Sequence, residues 1–331
     1  MMQCFNMQRH KGWRYDKVKI KKNKEVIEKD IKREDLSAVT KFILTLITTL
    51  LSVSMLIPLL LTIAVSFTEN ETLMLEGYKL WPSKWSLSAY EYLFKTGGQI
   101  WQSYGVSICV TIIGTLFGLS IMTLFAYAIT RKSFPWKRQF ILFIYFTMLF
   151  NGGLVPTYIM YSNILHLRDS ALALILPLCI NGTYILILRT YMRTSIPDSI
   201  EEAAKIDGAG DFLSFYKIIL PMCVPVIATI ALFLAVAYWN DWYQAFLYIV
   251  ENDKMVPIQL LLKRIENEIQ YLSNAASTGM SGVEIQNLND SLPEESVKMA
   301  LVVLVTIPIM VAYPFFQKYF VNGITIGSVK E

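Results

Sequence analysis

Read for its hydrophobic and polar positions, the chain falls into six apolar blocks, at about 42–67, 101–130, 139–161, 171–188, 222–250 and 297–320. Each is long enough, or nearly so, to cross about 30 Å of hydrocarbon as a helix rising about 1.5 Å per residue. The block at 171–188 is the shortest. A helix satisfies its own backbone donors and acceptors, so an all-α integral membrane protein of six transmembrane helices is expected rather than a sheet. Pro58, Pro156, Pro177, Pro225 and Pro308 fall inside or at the ends of these blocks. Two readings stay open. Either neighbouring helices re-satisfy the freed carbonyls, or the kinks surround a pathway that opens and closes.

The polar segments predict the orientation. Of the 30 Lys and Arg residues, 22 lie in 1–41, 131–138, 189–221 and 318–331, and 8 in 68–100, 163–170 and 251–298. Basic segments stay on the cytoplasmic side, so both termini are expected there. The chain then divides into a basic cytoplasmic N-terminal tail (1–41), a six-helix domain (42–320) and a cytoplasmic C-terminal tail (321–331). The first tail, with its charge run from Lys17 to Asp35, is too long and too charged for a secretory signal. On the outer side, Trp81, Trp85 and Tyr90 suit the membrane interface, where an aromatic ring keeps one wet edge. The outer segment 251–296 is unusually long for a loop. In it Ile258, Leu261, Leu262, Ile265, Ile269 and Leu272 recur at helical spacing, with Lys263, Arg264, Glu266 and Glu268 between them. That predicts an amphipathic helix outside the membrane. The stretch Ala275 to Ser291 is small and polar and is expected to be mobile.

Composition narrows the class. Hydrophobic residues make up 54% and charged residues 17%, against about 45–50% and about 25% for soluble domains. A soluble globular enzyme, a disordered chain and a disulfide scaffold are excluded. The net charge of +4 gives no sign of nucleic acid. Cys4, Cys109, Cys179 and Cys223 have no metal-like spacing, and the only histidines are His10 and His166, so no metal site is expected. The sequence lacks a Walker-A glycine loop, HExxH, GxSxG and paired intramembrane carboxylates, so neither ATP hydrolysis nor membrane-embedded catalysis is expected of it.

The segment 195–221, expected at the cytoplasmic face between the fourth and fifth blocks, carries the most specific pattern. Asp198 followed by Glu201 fits an N-terminal cap. Ile200, Ala203, Ala204 and Asp207 share one helix face, and Gly208 ends the helix where a positive φ is cheap only for glycine. Asp211 is placed to cap a second short helix through Phe215. The small Ala203-Ala204 pair lets another protein surface approach closely. Glu201 and Lys205 are four apart and can form an ordinary helix-surface pair, which leaves Glu202 as the candidate for an ion pair to a partner.

Glu202-Ala203-Ala204, then Gly208, Ile218 and Leu220-Pro221 reproduce the spacing of the E-A-A loop of binding-protein-dependent ABC importers. Asp207, Pro225 and the tail Gly323-Ile324-Thr325-Ile326-Gly327-Ser328-Val329-Lys330 are similar to the carbohydrate-importing branch. From about residue 40 to the end, the chain resembles the MalG-like permease subunits, more narrowly those for complex oligosaccharides. The resemblance implies a type I ABC importer permease fold in the bacterial plasma membrane. It implies a second homologous permease subunit, two ATPase subunits that bind ATP and Mg, and an extracellular sugar-binding lipoprotein. It further implies that Glu202, Ala203, Ala204, Asp207 and Gly208 meet the ATPase, that ATP closure moves the hairpin, and that the outer loop contacts the lipoprotein. No cofactor is expected in this chain.

Sugars are held by aromatic stacking and planar hydrogen-bonding side chains. Polar residues inside apolar helices usually face a cavity or another helix. Asn151, followed by Gly152-Gly153, interrupts the third block, and Asn181-Gly182 the fourth, with Tyr184 one turn on. The fifth carries Trp239-Asn240-Asp241-Trp242-Tyr243 in its outer half. Asn151, Asn181, Tyr184, Trp239, Asn240 and Tyr243 are therefore the candidate substrate pathway. The alternative is that Asn and Gly pack helices while Trp and Tyr mark the interface. A permease for a non-sugar solute and a secondary transporter are the competing functions. The second predicts internal repeats, and none is visible.

Overall fold

The computed structural model describes residues 37–95, 98–277 and 295–327. Most of the basic tail, most of the polar stretch that ends at Ser291, and the last residues of the C-terminal tail lie outside the described residues. The chain divides into two compact units, Met1–Leu60 and Leu61–Glu331. In the first, the described residues enter helix α1 (Ala38–Ser66), whose side chains from 38 to 58 are exposed. An apolar helix exposed in water would be unstable, and lipid is its natural solvent.

The second unit is a helical bundle, and no strand occurs among the described residues. Two short helices, α2 (Asn70–Glu76) and α3 (Ser88–Lys95), lead into the long α4 (Gly98–Thr130). Three bent pairs follow. They are α5 (Lys137–Leu149) with α6 (Leu154–Ile164), α7 (Ala171–Cys179) with α8 (Gly182–Ser195), and α10 (Asp211–Met222) with α11 (Val224–Trp239). Their bends are 114°, 49° and 79°. Between the second and third pairs lies α9 (Asp198–Ile206). Beyond them come α12 (Tyr243–Tyr248), α13 (Ile258–Ser277) and α14 (Glu295–Gly327). Among the described residues three helices are long and apolar enough to cross a membrane, or up to six spans if each bent pair counts as one.

Each break has a local cause. Between α5 and α6 the Asn151 side-chain Oδ1 accepts the Gly153 N–H at 2.9 Å, and Gly153 turns at φ +88°. Between α7 and α8, Asn181 is extended and its side chain caps the N–H groups of Thr183 and Tyr184. Pro225 lies in the first turn of α11, where a missing N–H costs nothing. The fifth helix stops at Trp239, short of the 222–250 block. Asp241 accordingly lies outside it, accepting the Gln244 N–H at 3.2 Å at the start of α12. Asn240-Asp241 offers the backbone a cap in place of a continued helix.

The core runs along α4, α7, α8, α11, α13 and α14, with Met122, Leu188, Ile230, Ile258 and Leu301 fully buried. Lipid tails are as apolar as leucine, so close packing rather than exclusion of water holds such helices together. Gly114 faces the Tyr238 ring and Gly118 the Cys179 carbonyl. The bond that Pro308 cannot make inside α14 is replaced from a neighbouring helix. Proline has no N–H for the carbonyl four residues back, and that carbonyl, of Leu304, accepts the Tyr104 hydroxyl. The adjacent Val305 carbonyl accepts Trp239 Nε1–H at 3.1 Å.

Candidate functional site

The hairpin begins at α9, and its sequence dictates how it ends. Gly208 adopts φ +77°, and the Ala209 N–H reaches back to the Ala204 carbonyl at 2.9 Å. This is the six-to-one bond of a glycine-terminated helix. Ala204 is buried, while Glu202, Ala203 and Asp207 are exposed. The side chains of Asp198, Glu201 and Lys205 lie outside the described residues, and with them the expected cap and surface pair.

The second arm differs from the expected short helix through Phe215. It runs from Asp211 to Met222, with a π-helical turn at Phe215–Ile219. Gly210, not Asp211, is its N-cap. The Asp211 carboxylate instead forms an ion pair with Arg131, just past the end of α4. Of the exposed large apolar residues on the hairpin, Ile206 at 86% and Phe212 at 77% point outward most. Apolar side chains beside exposed Glu202 and Asp207 make a surface suited to a protein partner. Sequence spacing alone did not single out Ile206 and Phe212. Their signal was weak, being large apolar residues within a polar segment.

The candidate pathway residues fall in three places. Asn151 is exposed at the α5–α6 break. Asn181 lines a cavity of about 650 Å³ with Phe125, Phe140, Thr147, Met148 and Thr183. Tyr184, half-buried nearby, stacks on Phe233 with centroids 6.4 Å apart. The third place is the end of α11. There Trp239 is buried with its N–H taken by Val305, so its ring belongs to the core. Asn240 is exposed and accepts from Gln259 Nε2 at 3.2 Å. Tyr243 is exposed and sits edge-on to Trp242, whose ring also faces Lys263 Nζ at 5.6 Å. Asn240, Trp242, Tyr243, Gln259 and Lys263 thus offer amide, aromatic and ammonium groups in one neighbourhood.

Asp169 was not anticipated. It stands at φ +56° in the turn before α7, and its Oδ1 accepts N–H groups from Val250, Glu251 and Asn252 at 2.8, 3.0 and 3.1 Å. It ties the turn before α7 to the segment that leads into α13. Burial pushes this carboxyl up, but the three N–H groups and nearby Arg168 outweigh it and leave it below its ordinary 3.8. The stabilisation is therefore full above pH 3.8 and is lost as the pH falls through the lower folded-state value. Asp169→Ala is expected to cost about 1–3 kcal/mol. A thermal melt of the detergent-solubilised protein checks this, and an unchanged melting temperature at neutral pH would contradict the tether.

Comparison with known proteins places these features in context. Residues 36–326 match the family described as binding-protein-dependent transport system inner membrane component. The chain is 41% identical over 275 residues to the polygalacturonan/rhamnogalacturonan transport system permease protein YtcP of Bacillus subtilis (strain 168), covering 83% of this chain and 92% of that one. It is 38% identical to Protein LplC of the same organism, over 83% of this chain and 89% of that one. In structure it is similar to a bacterial ABC transporter involved in the import of the acidic polysaccharide alginate. There the TM-score is 0.72 and the identity 26%, over 85% of this chain and 96% of that chain.

Proposed function

The chain belongs to the family of binding-protein-dependent transport system inner membrane components, and from that membership we propose how this permease subunit of an oligosaccharide ABC importer works. Hairpin 195–221 is the docking element for the ATPase subunits, with Glu202, Ala203, Asp207, Ile206 and Phe212 on the contact face and Gly208 setting the turn. The chain itself is non-catalytic, with ATP and Mg held by the partner subunits. It pairs with a second homologous permease, spans the membrane several times, and keeps both termini in the cytoplasm. An extracellular lipoprotein delivers the sugar to the outer segment 251–296, which includes α13.

The observation that carries this reading is the hairpin surface. Exposed Glu202 and Asp207 flank exposed Ile206, on a helix ended by Gly208 in the left-handed region. The family match supports reading that partner as an ATPase subunit. The sugar route is proposed along the α7–α8 break at Asn181 and Tyr184 and the cluster at Asn240 and Tyr243, with Asn151 at its margin. Trp239 contributes by holding α11 to α14.

Two of the similar proteins are named for acidic polysaccharides, so the proposed cargo is a uronate-bearing oligosaccharide. The test is uptake by reconstituted transporter of labelled oligogalacturonides beside neutral arabino-oligosaccharides. Uptake of the neutral sugars alone would exclude the acidic cargo. Failure of any ATPase subunit to co-purify with the chain would exclude the docking role.

A further inference from the structure

Of the bundle helices that follow α3, α4 is long, contains no proline and has no break, whereas three helix pairs around it are bent by 49° to 114°. It packs against α5, α7, α8, α11 and α13. Both of its ends are tied by polar groups to segments distant in sequence.

At the hairpin end the tie is Arg131, a charged residue only 5% exposed. Its guanidinium pairs with the Asp211 carboxylate and lies over the Tyr127 ring, 5.1 Å from the centroid. The Tyr127 hydroxyl donates to the Asp211 carbonyl at 3.2 Å, and its ring meets Phe215 at 4.9 Å. The first turn of α10 is thus gripped through a carboxylate, a carbonyl and a ring. An arginine suits this joint because its planar head can stack and donate at once.

At the far end the Ile258 N–H donates to the buried Ser107 Oγ at 2.9 Å. Gln102 Nε2 donates to the Lys254 carbonyl at 2.9 Å. These bonds seat the start of α13 on α4. From Ser107 to Tyr127 the helix rises about 30 Å, one hydrocarbon thickness.

We propose that α4 is the rod that carries displacement of the hairpin to the outer segment, with Arg131–Asp211 as its input joint and Ser107–Ile258 as its output joint. An unbroken helix moves as a body, because bending it strains a continuous ladder of hydrogen bonds, while the broken pairs can absorb motion at their breaks. Energetic coupling needs an element biased from both ends, and α4 is held at both. Coupling is also reciprocal, so lipoprotein binding outside should reach the ATPases by the same rod. The inference rests on the hairpin being the ATPase dock.

The test uses the full complex in proteoliposomes, with Asp211→Asn and Asp211→Glu at one end and Ser107→Ala at the other. ATPase co-purification should be retained in all three, and basal hydrolysis should stay at the unmutated level in Ser107→Ala. Stimulation of hydrolysis by sugar-loaded lipoprotein, and uptake, should fall about tenfold in Asp211→Asn and in Ser107→Ala, within the roughly 5- to 150-fold range of coupling effects. Asp211→Glu should recover most of the loss. The same phenotype from two sites about 30 Å apart is what a purely local structural role would not produce. Unchanged stimulation in either variant overturns the rod. Loss of ATPase co-purification in Asp211→Asn also overturns it, by assigning the ion pair to hairpin folding. Failure of the unmutated chain to co-purify an ATPase overturns the docking reading, and the inference with it.

Discussion

Gly208→Val is expected to abolish sugar uptake while the chain still inserts into the membrane. The reason is backbone, not space. Gly208 stands at φ +77°, yet a Cβ built there meets nothing within 4 Å. A side chain in the left-handed region costs about 1–3 kcal/mol, and a β-branched one is the worst case. The bond from the Ala209 N–H to the Ala204 carbonyl closes around that turn. Relieving the strain therefore unwinds the end of α9 and re-aims α10, separating Ile206 from Phe212 on the proposed contact face. Gly208→Asn should be far milder, because asparagine tolerates this region. Ala203→Asp should also uncouple, by placing a carboxylate where the partner packs closely. The measurements are uptake and ATPase co-purification. Normal uptake by both Gly208→Val and Ala203→Asp would remove the hairpin from the mechanism.

Gly118→Val is expected to cause the largest loss of folded protein. A Cβ at Gly118 would lie 2.5 Å from the Cys179 carbonyl oxygen and 3.1 Å from its Cα. Both are backbone atoms, so no rotamer change relieves the clash, and α4 and α7 must move apart. Such overpacking costs about 1–3 kcal/mol and occasionally more. Gly114 is a softer case. Its Cβ would meet the Tyr238 ring at 2.5 Å, but that ring is tied through its hydroxyl to the Ile175 carbonyl at 2.6 Å and has little freedom. Gly152→Ala is the control, with open space around it and no positive φ. Thermal stability and monodisperse yield after detergent extraction should separate the three. Equal melting temperatures for Gly118→Val and Gly152→Ala would refute the close approach of α4 and α7.

What could be read from the sequence was what local pattern encodes. Apolar blocks located the long helices, and the spacing of Ile258, Leu261 and Ile265 located an amphipathic helix that the structure places at Ile258–Ser277. Gly208 announced a left-handed turn because only glycine reaches it cheaply. The breaks were visible as residues, such as Asn151-Gly152-Gly153, but not as bends of 114° or 79°. Trp239 shows the limit of such reading. An aromatic residue at the end of a helix can stack on a ligand or donate to a buried carbonyl, and only the position of Val305, 66 residues on, decides between them. Arg131 and Asp211 stand 80 residues apart. No local periodicity can couple positions at that distance. The Asp169 tether was hidden for the same reason.

That tether has a meaning for biogenesis. Its hydrogen bonds join Asp169 to residues 81 to 83 positions later. Closing a loop of that length costs roughly 4 kcal/mol in chain entropy. Everything from α7 through α12 must be synthesised before Val250, Glu251 and Asn252 can present their N–H groups. The bonds are therefore late events, formed after the fifth apolar block has been made. A chain truncated before Val250 would carry its Asp169 carboxylate without these donors, so this acid records whether insertion has reached that far.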